Sequence, residues 1–462
     1  MSEKSFDVAV IGAGPGGYVA AIRATQLGLK ACVIERDKPG GVCLNIGCIP
    51  SKALIHQAEV FRNALESEAF GVKVDASGLD YGKVYKKSRQ AADKLSKGVQ
   101  FLLKKNSIEY IEGDAELKAA GEIKVGDTTV KAKNVLIATG SRPRELPGFE
   151  FDEKQVLSST GVLMLEDLPK SLAIMGAGAI GMEFAHVMNA FGVEVTVVEL
   201  MDSILPIEDA EAVEVLAKDF KKRGIKMLTG TKAGALKKSS SGVTLSLETK
   251  DGKKEELKAE KLLVAVGRAP NSEKLGLEKL GVKTEKGFIE VGDYYQTNVK
   301  GVFAIGDVIA TPLLAHVASK EGEIAVEYMA GHKGPKRLNP DDIPSAVYTE
   351  PEIGSFGPTE QKLTERGVKF EKSVFPYRGA GKSVAIEASE GLVKLLYAAD
   401  THEILAAHVA GRNATELVHE LLLARHAELL PEDIATMVHA HPTLSEAVME
   451  AARGAEGWAI HA

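Results

Sequence analysis

The sequence predicts an α/β fold in which a strand–turn–helix–strand unit occurs twice, followed by an α+β domain. Two glycine-rich turns support this prediction, at residues 12–17 (GAGPGG) and 176–181 (GAGAIG). Each turn follows a short apolar run, and its first glycine precedes a glutamate, Glu35 or Glu199, by 23 positions. Beyond residue 340 the pattern changes to proline-bounded turns and short alternating segments. The repeated spacing indicates two dinucleotide-binding units of the Rossmann type.

The first unit is predicted to contain a strand, a helix and a second strand, at residues 6–11, 18–27 and 30–34. The turn between the first strand and the helix contains Gly12, Gly14 and Gly17. Glycines at such a turn let the backbone approach a pyrophosphate, which then lies at the helix N-terminus. Glu35, at the end of the second strand, is placed to bind a ribose hydroxyl.

The second unit repeats this order, with strands predicted at residues 172–175 and 193–198. Glu199 would accept hydrogen bonds from a free ribose 2′-hydroxyl and repel a 2′-phosphate, and residues 200–205 contain no arginine to bind one. NAD is therefore predicted here rather than NADP. Two dinucleotide sites suit an enzyme that passes electrons from one cofactor to another. The residues predicted to form the second turn are Gly176, Gly178, Ile180 and Gly181.

A third motif spans residues 40–52 (GGVCLNIGCIPSK) and contains two of the three cysteines. The step from Cys43 to Cys48 is not the CxxC of a thioredoxin-type or zinc motif, and no second pair of ligands lies nearby. A disulfide across this step requires an irregular helix, and we expect Gly47 and Pro50 to supply the irregularity. A helix N-terminus near the sulfurs would lower the pKa of both thiols. Two buried, inert cysteines are the alternative.

This cysteine motif resembles the redox disulfide of the flavoprotein disulfide reductases, and the resemblance covers essentially the whole chain. Val42 departs from the threonine that many members carry. The resemblance implies FAD at the first unit, NAD at the second, and a C-terminal domain that forms a homodimer. It also implies oxidation of protein-bound dihydrolipoamide to lipoamide, with reduction of NAD to NADH, through a Cys43–Cys48 redox disulfide.

The resemblance implies catalytic roles for Cys43, Cys48, Lys52, Glu183, His441 and Glu446. Lys52 would lie beside the flavin, and Glu183 would meet both the nicotinamide and Lys52. The alternative for Lys52 is a solvated surface lysine. The alternative for Glu183 is an acid in the first turn of a helix, where the helix dipole favours a negative charge. His441 would act as acid and base at the disulfide of the other subunit, oriented by Glu446. His439 has no fixed role, and three close ligands are weak evidence for a metal site, so no metal is predicted.

The resemblance further implies cofactor contacts outside the two glycine turns. In relatives the aspartate at the position of Asp307 bonds the ribityl chain of FAD. The helix that opens near residue 313 would face the pyrimidine end of the flavin ring. His316 in this helix is treated as positional only, since it could equally be a capping or surface histidine. The predicted contacts beyond the turns, Glu35, Glu199 and Lys52 are Gly113, Thr139, Gly140, Gly267, Asp307, Leu314, Ala315 and His316.

The predicted domains are a FAD-binding and central region at residues 1–141 and 270–340, an NAD-binding domain at 142–269, and a C-terminal dimerisation domain at 341–462. The formal net charge of −7 and the lack of an evident basic stripe disfavour nucleic acid as a partner. The N-terminal residues contain no apolar signal segment, and no apolar run is long enough to cross a bilayer. A cytoplasmic protein without membrane contact is therefore predicted.

The implied partner is the lipoyl domain of a 2-oxo acid dehydrogenase complex or the lipoylated carrier protein of the glycine-cleavage system. One alternative is a reductase of another disulfide, such as glutathione or mycothiol, or of a metal ion. Glu199 and the absence of a cysteine pair near the C-terminus oppose it. The other alternative is a mainly structural subunit docked on an acyltransferase core, which the intact set of catalytic residues opposes.

Overall fold

The computed structural model describes residues 2–461. Within them, no helix is both long and apolar enough to span a bilayer. The α-helices are, in chain order, α1 Pro15–Gln26, α2 Gly41–Ile46, α3 Cys48–Glu66, α4 Tyr81–Lys105, α5 Ser159–Leu163, α6 Ala179–Ala190, α7 Ala210–Lys222, α8 Ala315–Met329, α9 Glu360–Glu365, α10 Gly381–Ala385, α11 Ala414–His426, α12 Pro431–Thr436 and α13 Ser445–Ala455.

The β-strands form several sheets that are connected through the helices. In chain order they are β1 Ser2–Ile11, β2 Ala31–Glu35, β3 Glu109–Glu112, β4 Ala115–Ala119, β5 Glu122–Val125, β6 Thr128–Ile137, β7 Ser141–Pro143, β8 Val156–Leu157, β9 Ser171–Met175, β10 Glu194–Val198, β11 Lys226–Leu228, β12 Thr231–Ser239, β13 Gly242–Thr249, β14 Lys254–Ala259, β15 Lys261–Val264, β16 Arg268–Pro270, β17 Thr284–Glu285, β18 Phe288–Ile289, β19 Val302–Ala304, β20 Ser345–Val347, β21 Glu352–Phe356, β22 Phe370–Pro376, β23 Leu392–Ala398 and β24 Ile404–Gly411.

The first unit is built on a sheet with the strand order β3–β2–β1–β6–β5–β4, in which β19 also pairs with β6. The strands β19, β6, β1, β2 and β3 run parallel. Val10 and Leu136 are fully buried, as expected for parallel strands covered on both faces. The register pairs Ile11 with Ile34 and with Ile137. Three parallel strands therefore end at one edge, where the first glycine turn begins and where ligands bind in such sheets.

The second unit contains the parallel sheet β11–β10–β9–β15–β8. An antiparallel sheet, β12–β13–β14, packs against it through Val243, Leu245 and Val264. The short strands β7 and β16 pair with each other, so the chain enters and leaves this unit at one place. The predicted domain limits at residues 142 and 269 lie in or next to these strands and stay predictions.

The C-terminal part is an antiparallel sheet in the order β20–β21–β24–β23–β22, with α11 and α13 packed on it. Val393, Val418 and Val448 belong to its shared apolar core. Two parallel-sheet units followed by this α+β part confirm the predicted fold class.

Strand β23 differs from the alternating pattern that residues 391–397 predict, because it is buried along nearly its whole length. Its charged residue, Lys394, has a side chain only 1% exposed. The Nζ atom of Lys394 lies 3.0 Å from both carboxylate oxygens of Asp209, which is also buried and caps the N-terminus of α7. A buried ion pair therefore joins the second unit to the C-terminal sheet.

Helix α4 extends from Tyr81 to Lys105. Its inward face is apolar and includes Ala92, Val99 and Leu103, whereas its outward face is rich in exposed lysines. The sequence-based expectation of no basic stripe is therefore wrong for this helix. The lysines are separated by other residues along the chain and come together only through the 3.6-residue helical repeat.

Lys394→Met is expected to lower the free energy of unfolding by about 3–5 kcal/mol, because Asp209 would remain charged and buried without its partner. Lys226→Met is the matched control, since it removes the exposed ion pair of Lys226 with Glu194 and should cost less than about 1 kcal/mol. Urea unfolding followed by circular dichroism measures both. Equal destabilisation by the two substitutions would contradict a structural role for the buried pair.

Candidate active site

The first glycine turn is shaped by the neighbouring strand and by the helix that follows. Gly12 has a φ of +107°, and a Cβ there would lie 2.3 Å from the carbonyl oxygen of Ala138. A Cβ at Gly17 would lie 1.9 Å from the carbonyl oxygen of Gly12. A Cβ at Gly14, in contrast, would meet open space at the N-terminus of α1. Close packing therefore requires Gly12 and Gly17, and Gly14 leaves room for a pyrophosphate to approach the helix.

The second glycine turn repeats this geometry. A Cβ at Gly176 would lie 2.4 Å from the carbonyl oxygen of Ala265, and one at Gly181 would lie 2.0 Å from that of Gly176. The space at Gly178 is again open, and Ile180 lies in the first turn of α6. Both turns thus form the same cradle, which fits the pyrophosphate of a dinucleotide.

A glutamate at the end of the second strand of each unit accepts hydrogen bonds from the backbone of the glycine turn. One carboxylate oxygen of Glu35 accepts the N–H of Ala13 at 2.7 Å, and one of Glu199 accepts the N–H of Ala177 at 2.7 Å. The other oxygen of each accepts the N–H two residues further along the chain, at 2.9 Å and 2.8 Å. These glutamates are expected to bind ribose, and they also hold the turn in shape, which the sequence did not indicate. A fixed negative charge at this position favours a free 2′-hydroxyl over a 2′-phosphate.

The cysteine motif contains two helices rather than one. Cys43 lies in α2, Cys48 is the first residue of α3, and Gly47 separates them with φ −150° and ψ −117°. Both cysteines are free thiols. Pro50 lies within the first turn of α3, where the missing N–H costs no helical hydrogen bond. Gly47 therefore supplies the break, and the expectation that Pro50 contributes to it is wrong.

The two thiols have pKa values shifted in opposite directions. Cys43 donates a hydrogen bond to Cys48, and this bond, followed by burial, raises the pKa of the Cys43 thiol. The same bond lowers the pKa of the Cys48 thiol; burial opposes this shift, and the charge of Lys52 adds to it. The expectation of a lowered pKa at both thiols is therefore wrong for Cys43, because a shared hydrogen bond stabilises only the thiolate that accepts it.

Lys52 and Glu183, predicted to act together, form an ion pair. The Nζ atom of Lys52 lies 2.9 Å and 2.8 Å from the two carboxylate oxygens of Glu183. The backbone N–H of Tyr348 donates to the same carboxylate at 3.1 Å, and Nζ lies 4.3 Å from the centroid of the Tyr348 ring. Lys52 belongs to α3, Glu183 to α6, and Tyr348 follows β20. Three distant parts of the chain therefore meet at one charge pair.

Glu183 lies in the second turn of α6, because the helix already begins at Ala179. The first turn of α6 contains no acid, so the expectation that Glu183 lies there is wrong. The residue is only 7% exposed, and its charge is balanced by Lys52 rather than by the helix dipole. The ion pair is therefore the better explanation of a carboxylate at this position.

Asp307 lies in a polar cluster at the carboxyl edge of the first sheet. One of its oxygens accepts the hydroxyl of Ser141 at 2.5 Å, and the Nε atom of Arg268 donates to that hydroxyl at 2.6 Å. The adjacent N–H of Gly306 donates to the buried Glu321 at 2.7 Å, and burial raises the pKa of Glu321 to about 7. The sequence analysis assigned no role to Ser141, Arg268 or Glu321. Only Glu321 could have been noticed, because it is an acid in the second turn of α8, on a helix face that is otherwise apolar.

Further predicted contacts occupy loops at the same edge. The hydroxyl of Thr139 donates to the carbonyl oxygen of Asn271 at 2.7 Å, and the N–H of Asn271 donates to the carbonyl oxygen of Gly140 at 2.9 Å. Gly140, Gly113 and Gly267 have φ values of +67°, +145° and +109°, a region that favours glycine. Their role in the fold is therefore established by geometry, and cofactor contact stays a prediction.

The N-terminus of α8 carries the remaining predicted contacts. Leu314 is the residue before the helix, and Ala315 is its first residue. The Nε2 atom of His316 donates to the carbonyl oxygen of Pro344 at 2.9 Å, and burial lowers the pKa of this histidine. His316 is exposed, as one of the two predicted alternatives allows, and its hydrogen bond joins α8 to the loop before β20.

Two histidine–glutamate pairs lie near the C-terminus. The Nδ1 atom of His441 lies 2.9 Å from Glu446, and the His441 side chain is 76% exposed. Burial alone would raise the pKa of Glu446, but hydrogen bonds from the N–H of Thr443 and from His441 lower it overall. His439, which had no predicted role, lies 2.8 Å from Glu420. Among the contacts described for residues 2–461, none joins His441 to the cysteine motif.

Comparison with known proteins defines the class. Residues 6–322 match the family described as pyridine nucleotide-disulphide oxidoreductase, and residues 343–452 match its dimerisation domain. The chain therefore belongs to the pyridine nucleotide-disulphide oxidoreductase family. FAD and NAD are the cofactors of this family, which confirms the predicted cofactor pair.

Individual proteins of this family resemble the chain over nearly its whole length. Dihydrolipoyl dehydrogenase from Rhizobium etli is 42% identical over 99% of this chain and 100% of its own length. Dihydrolipoyl dehydrogenase 1, mitochondrial, from Arabidopsis thaliana is 43% identical over 98% of this chain and 91% of its own. The crystal structure of LpdA from Mycobacterium tuberculosis superposes with a TM-score of 0.89 at 27% identity, covering 98% of this chain and 99% of that one.

Lys52→Met is expected to raise the pKa of the Cys48 thiol by about one pH unit, because a nearby positive charge stabilises the thiolate. Tyr348→Leu should raise it by a smaller amount, since the ring that holds the ammonium is lost. Tyr348→Phe is the control, because it keeps the ring and the backbone N–H. The rate of alkylation of Cys48 by iodoacetamide against pH, in a Cys43→Ser background, measures the pKa. The same dependence of the alkylation rate on pH in all variants would show that Lys52 does not influence the pKa of the Cys48 thiol.

Proposed function

We propose that this protein oxidises protein-bound dihydrolipoamide to lipoamide and reduces NAD to NADH. The observation that carries the proposal is the convergence at one site of an asymmetric dithiol, Cys43 and Cys48, with the Lys52–Glu183 ion pair. The relatives named dihydrolipoyl dehydrogenase, which cover nearly the whole chain, support the choice of substrate. The predicted cytoplasmic location belongs to the same proposal.

The thiol chemistry starts from the Cys43–Cys48 disulfide. A substrate thiolate attacks the Sγ atom of Cys43, a mixed disulfide forms, and Cys48 leaves as a thiolate. The second thiol of the substrate then attacks the substrate sulfur that is bonded to Cys43. This step forms the disulfide of lipoamide, releases lipoamide and leaves Cys43 as a thiol. A sulfur of lower pKa is the better leaving group, and the lowered pKa of Cys48 supports this assignment.

Other residues position groups and move protons. His441, oriented by Glu446, takes the proton of the first substrate thiol and releases it to solvent, and it then carries the proton of the second substrate thiol to the departing Cys43 sulfur. Bound FAD supplies two-electron transfer between the dithiol and the nicotinamide. Lys52 holds a positive charge beside the flavin site, and Glu183 keeps that charge in place. Asp307 and the first glycine turn bind FAD, and Glu199 and the second turn bind NAD.

The active site belongs to a homodimer in this proposal. Residues 343–452 match a dimerisation domain, and the His441 side chain is largely exposed within its own chain. His441 and Glu446 would therefore complete the dithiol site of the second subunit. The partner that brings the dihydrolipoyl group is the lipoyl domain of a 2-oxo acid dehydrogenase complex or the lipoylated carrier of the glycine-cleavage system.

The function is tested by comparing dihydrolipoamide with reduced glutathione, each with NAD and with NADP. We expect turnover of dihydrolipoamide with NAD only. Glu199→Gln should lower the preference for NAD over NADP about tenfold, because it removes the charge that repels a 2′-phosphate and keeps one of the two oxygens that accept backbone N–H groups. Glu35→Gln is the matched change at the first turn and should leave the preference unchanged. Preference of the wild-type protein for glutathione or NADP would overturn the proposal.

His441→Ala and Cys43→Ser homodimers should each be inactive, and a mixed dimer should recover up to about half of the wild-type activity. One of its two sites then contains intact thiols and an intact histidine, and the other contains both lesions. Loss of the base alone should cost roughly 10²–10⁴ in rate, so the recovered activity would be well above background. Co-expression with two different tags isolates the mixed dimer. Activity no higher than the mean of the parents would place His441 in the site of its own subunit.

A further inference from the structure

Helix α4 carries a continuous basic face, which we call the α4 lysine face. Neighbouring helical residues differ by about 100° in direction, so these lysines fall within a sector of roughly 100° that extends along about 33 Å of the helix. Asp93 is the only acid in α4. The chain as a whole has a formal charge of −7, so this face is opposite in sign to the protein. The α4 lysine face consists of Lys83, Lys86, Lys87, Lys94, Lys97, Lys104 and Lys105, all exposed.

Most of these charges are not neutralised by the protein. Among residues 2–461, Lys83 lies 3.7 Å from Asp80, and no other lysine of this face forms an ion pair. Lys87 donates to the amide oxygen of Gln57 at 2.9 Å. Phe101 projects from the middle of the same sector and is 65% exposed. The face therefore combines uncompensated positive charge with one large apolar side chain.

The opposite side of α4 is attached to the cysteine motif. Arg89 donates to the carbonyl oxygen of Asn45 at 2.8 Å, and the hydroxyl of Ser96 donates to the carbonyl oxygen of Pro39 at 2.8 Å. Helix α4 also packs against α3, which begins at Cys48. The lysine face is therefore separated from the redox-active segment by the thickness of one helix, about 10 Å.

We propose that the α4 lysine face is the docking surface for an acidic protein domain that carries the dihydrolipoyl-lysine. The proposal rests on the proposed function and adds the chemistry of the partner. Acidic residues beside the modified lysine would be attracted by the unpaired lysines, which raises the local concentration of the dithiol. A long, flexible lipoyl-lysine side chain would reach Cys43 by passing around the side of α4. Phe101 offers an aromatic anchor at the centre of the contact.

The test uses the FAD-loaded homodimer and three synthetic peptides that contain the same dihydrolipoyl-lysine, flanked by glutamates, by glutamines or by lysines. At low ionic strength kcat/KM should be about tenfold higher for the glutamate-flanked peptide than for the glutamine-flanked one, and lowest for the lysine-flanked one. High salt should remove the difference, because exposed charges are screened. A Lys86→Gln, Lys94→Gln, Lys97→Gln variant should also remove it and should oxidise free dihydrolipoamide at the wild-type rate.

The matched control is a Lys237→Gln, Lys253→Gln, Lys254→Gln variant, which removes the same charge from exposed positions on β12, on β14 and in the turn that precedes β14. It should keep the preference for the glutamate-flanked peptide. Equal kcat/KM for glutamate- and glutamine-flanked peptides in the wild-type protein would overturn the docking proposal, and so would an unchanged preference in the α4 variant. Failure to oxidise free dihydrolipoamide would instead overturn the proposed function.

Two other occupants of the face are also tested. Salt-sensitive binding of duplex DNA by the wild-type protein but not by the α4 variant would assign the face to nucleic acid and overturn the proposal. A change in oligomeric state of the α4 variant, measured by light scattering, would assign it to a second copy of the chain with the same consequence. Unchanged mass and no DNA binding support the acidic domain.

Discussion

The ion pair between Lys52 and Glu183 is the contact on which the arrangement of the site depends. A buried carboxylate is costly unless a partner and hydrogen bonds compensate it. Glu183 obtains the ammonium group of Lys52 and the N–H of Tyr348, so α3, α6 and the loop after β20 must lie together. Such a pair adds little net stability because of desolvation, but it excludes other arrangements of these three segments, since any of them would leave a charge unpaired.

The two nucleotide-binding units show that packing and binding use different glycines of one turn. Gly17 and Gly181 have no room for a Cβ because the carbonyl oxygen of the first glycine of the turn lies about 2 Å away from where it would stand. Gly14 and Gly178 have open space at a helix N-terminus, where backbone N–H groups attract anions. The same steric rule, applied twice, produces two similar cradles in different parts of the chain.

Asymmetry between the thiols arises from local electrostatics rather than from a chemical difference between two cysteines. Cys48 accepts the hydrogen bond, starts α3 and lies near Lys52, whereas Cys43 donates the bond. One sulfur is thereby prepared to leave as a thiolate and the other to exchange with substrate. The charge that contributes to this difference is held by Glu183, so the second unit influences the chemistry of a motif in the first.

The two units, the cysteine motif and the α+β part could be predicted because their signals are local: glycines next to apolar strands, a repeated spacing to Glu35 and Glu199, and a helical or alternating period. Which side chains meet could not be predicted in this way. Glu183 lies 131 residues from Lys52 and 165 from Tyr348, and Lys394 is buried because Asp209, 185 residues away, is its partner. Contacts at such separations depend on how whole elements pack, and local periodicity contains no information about that packing.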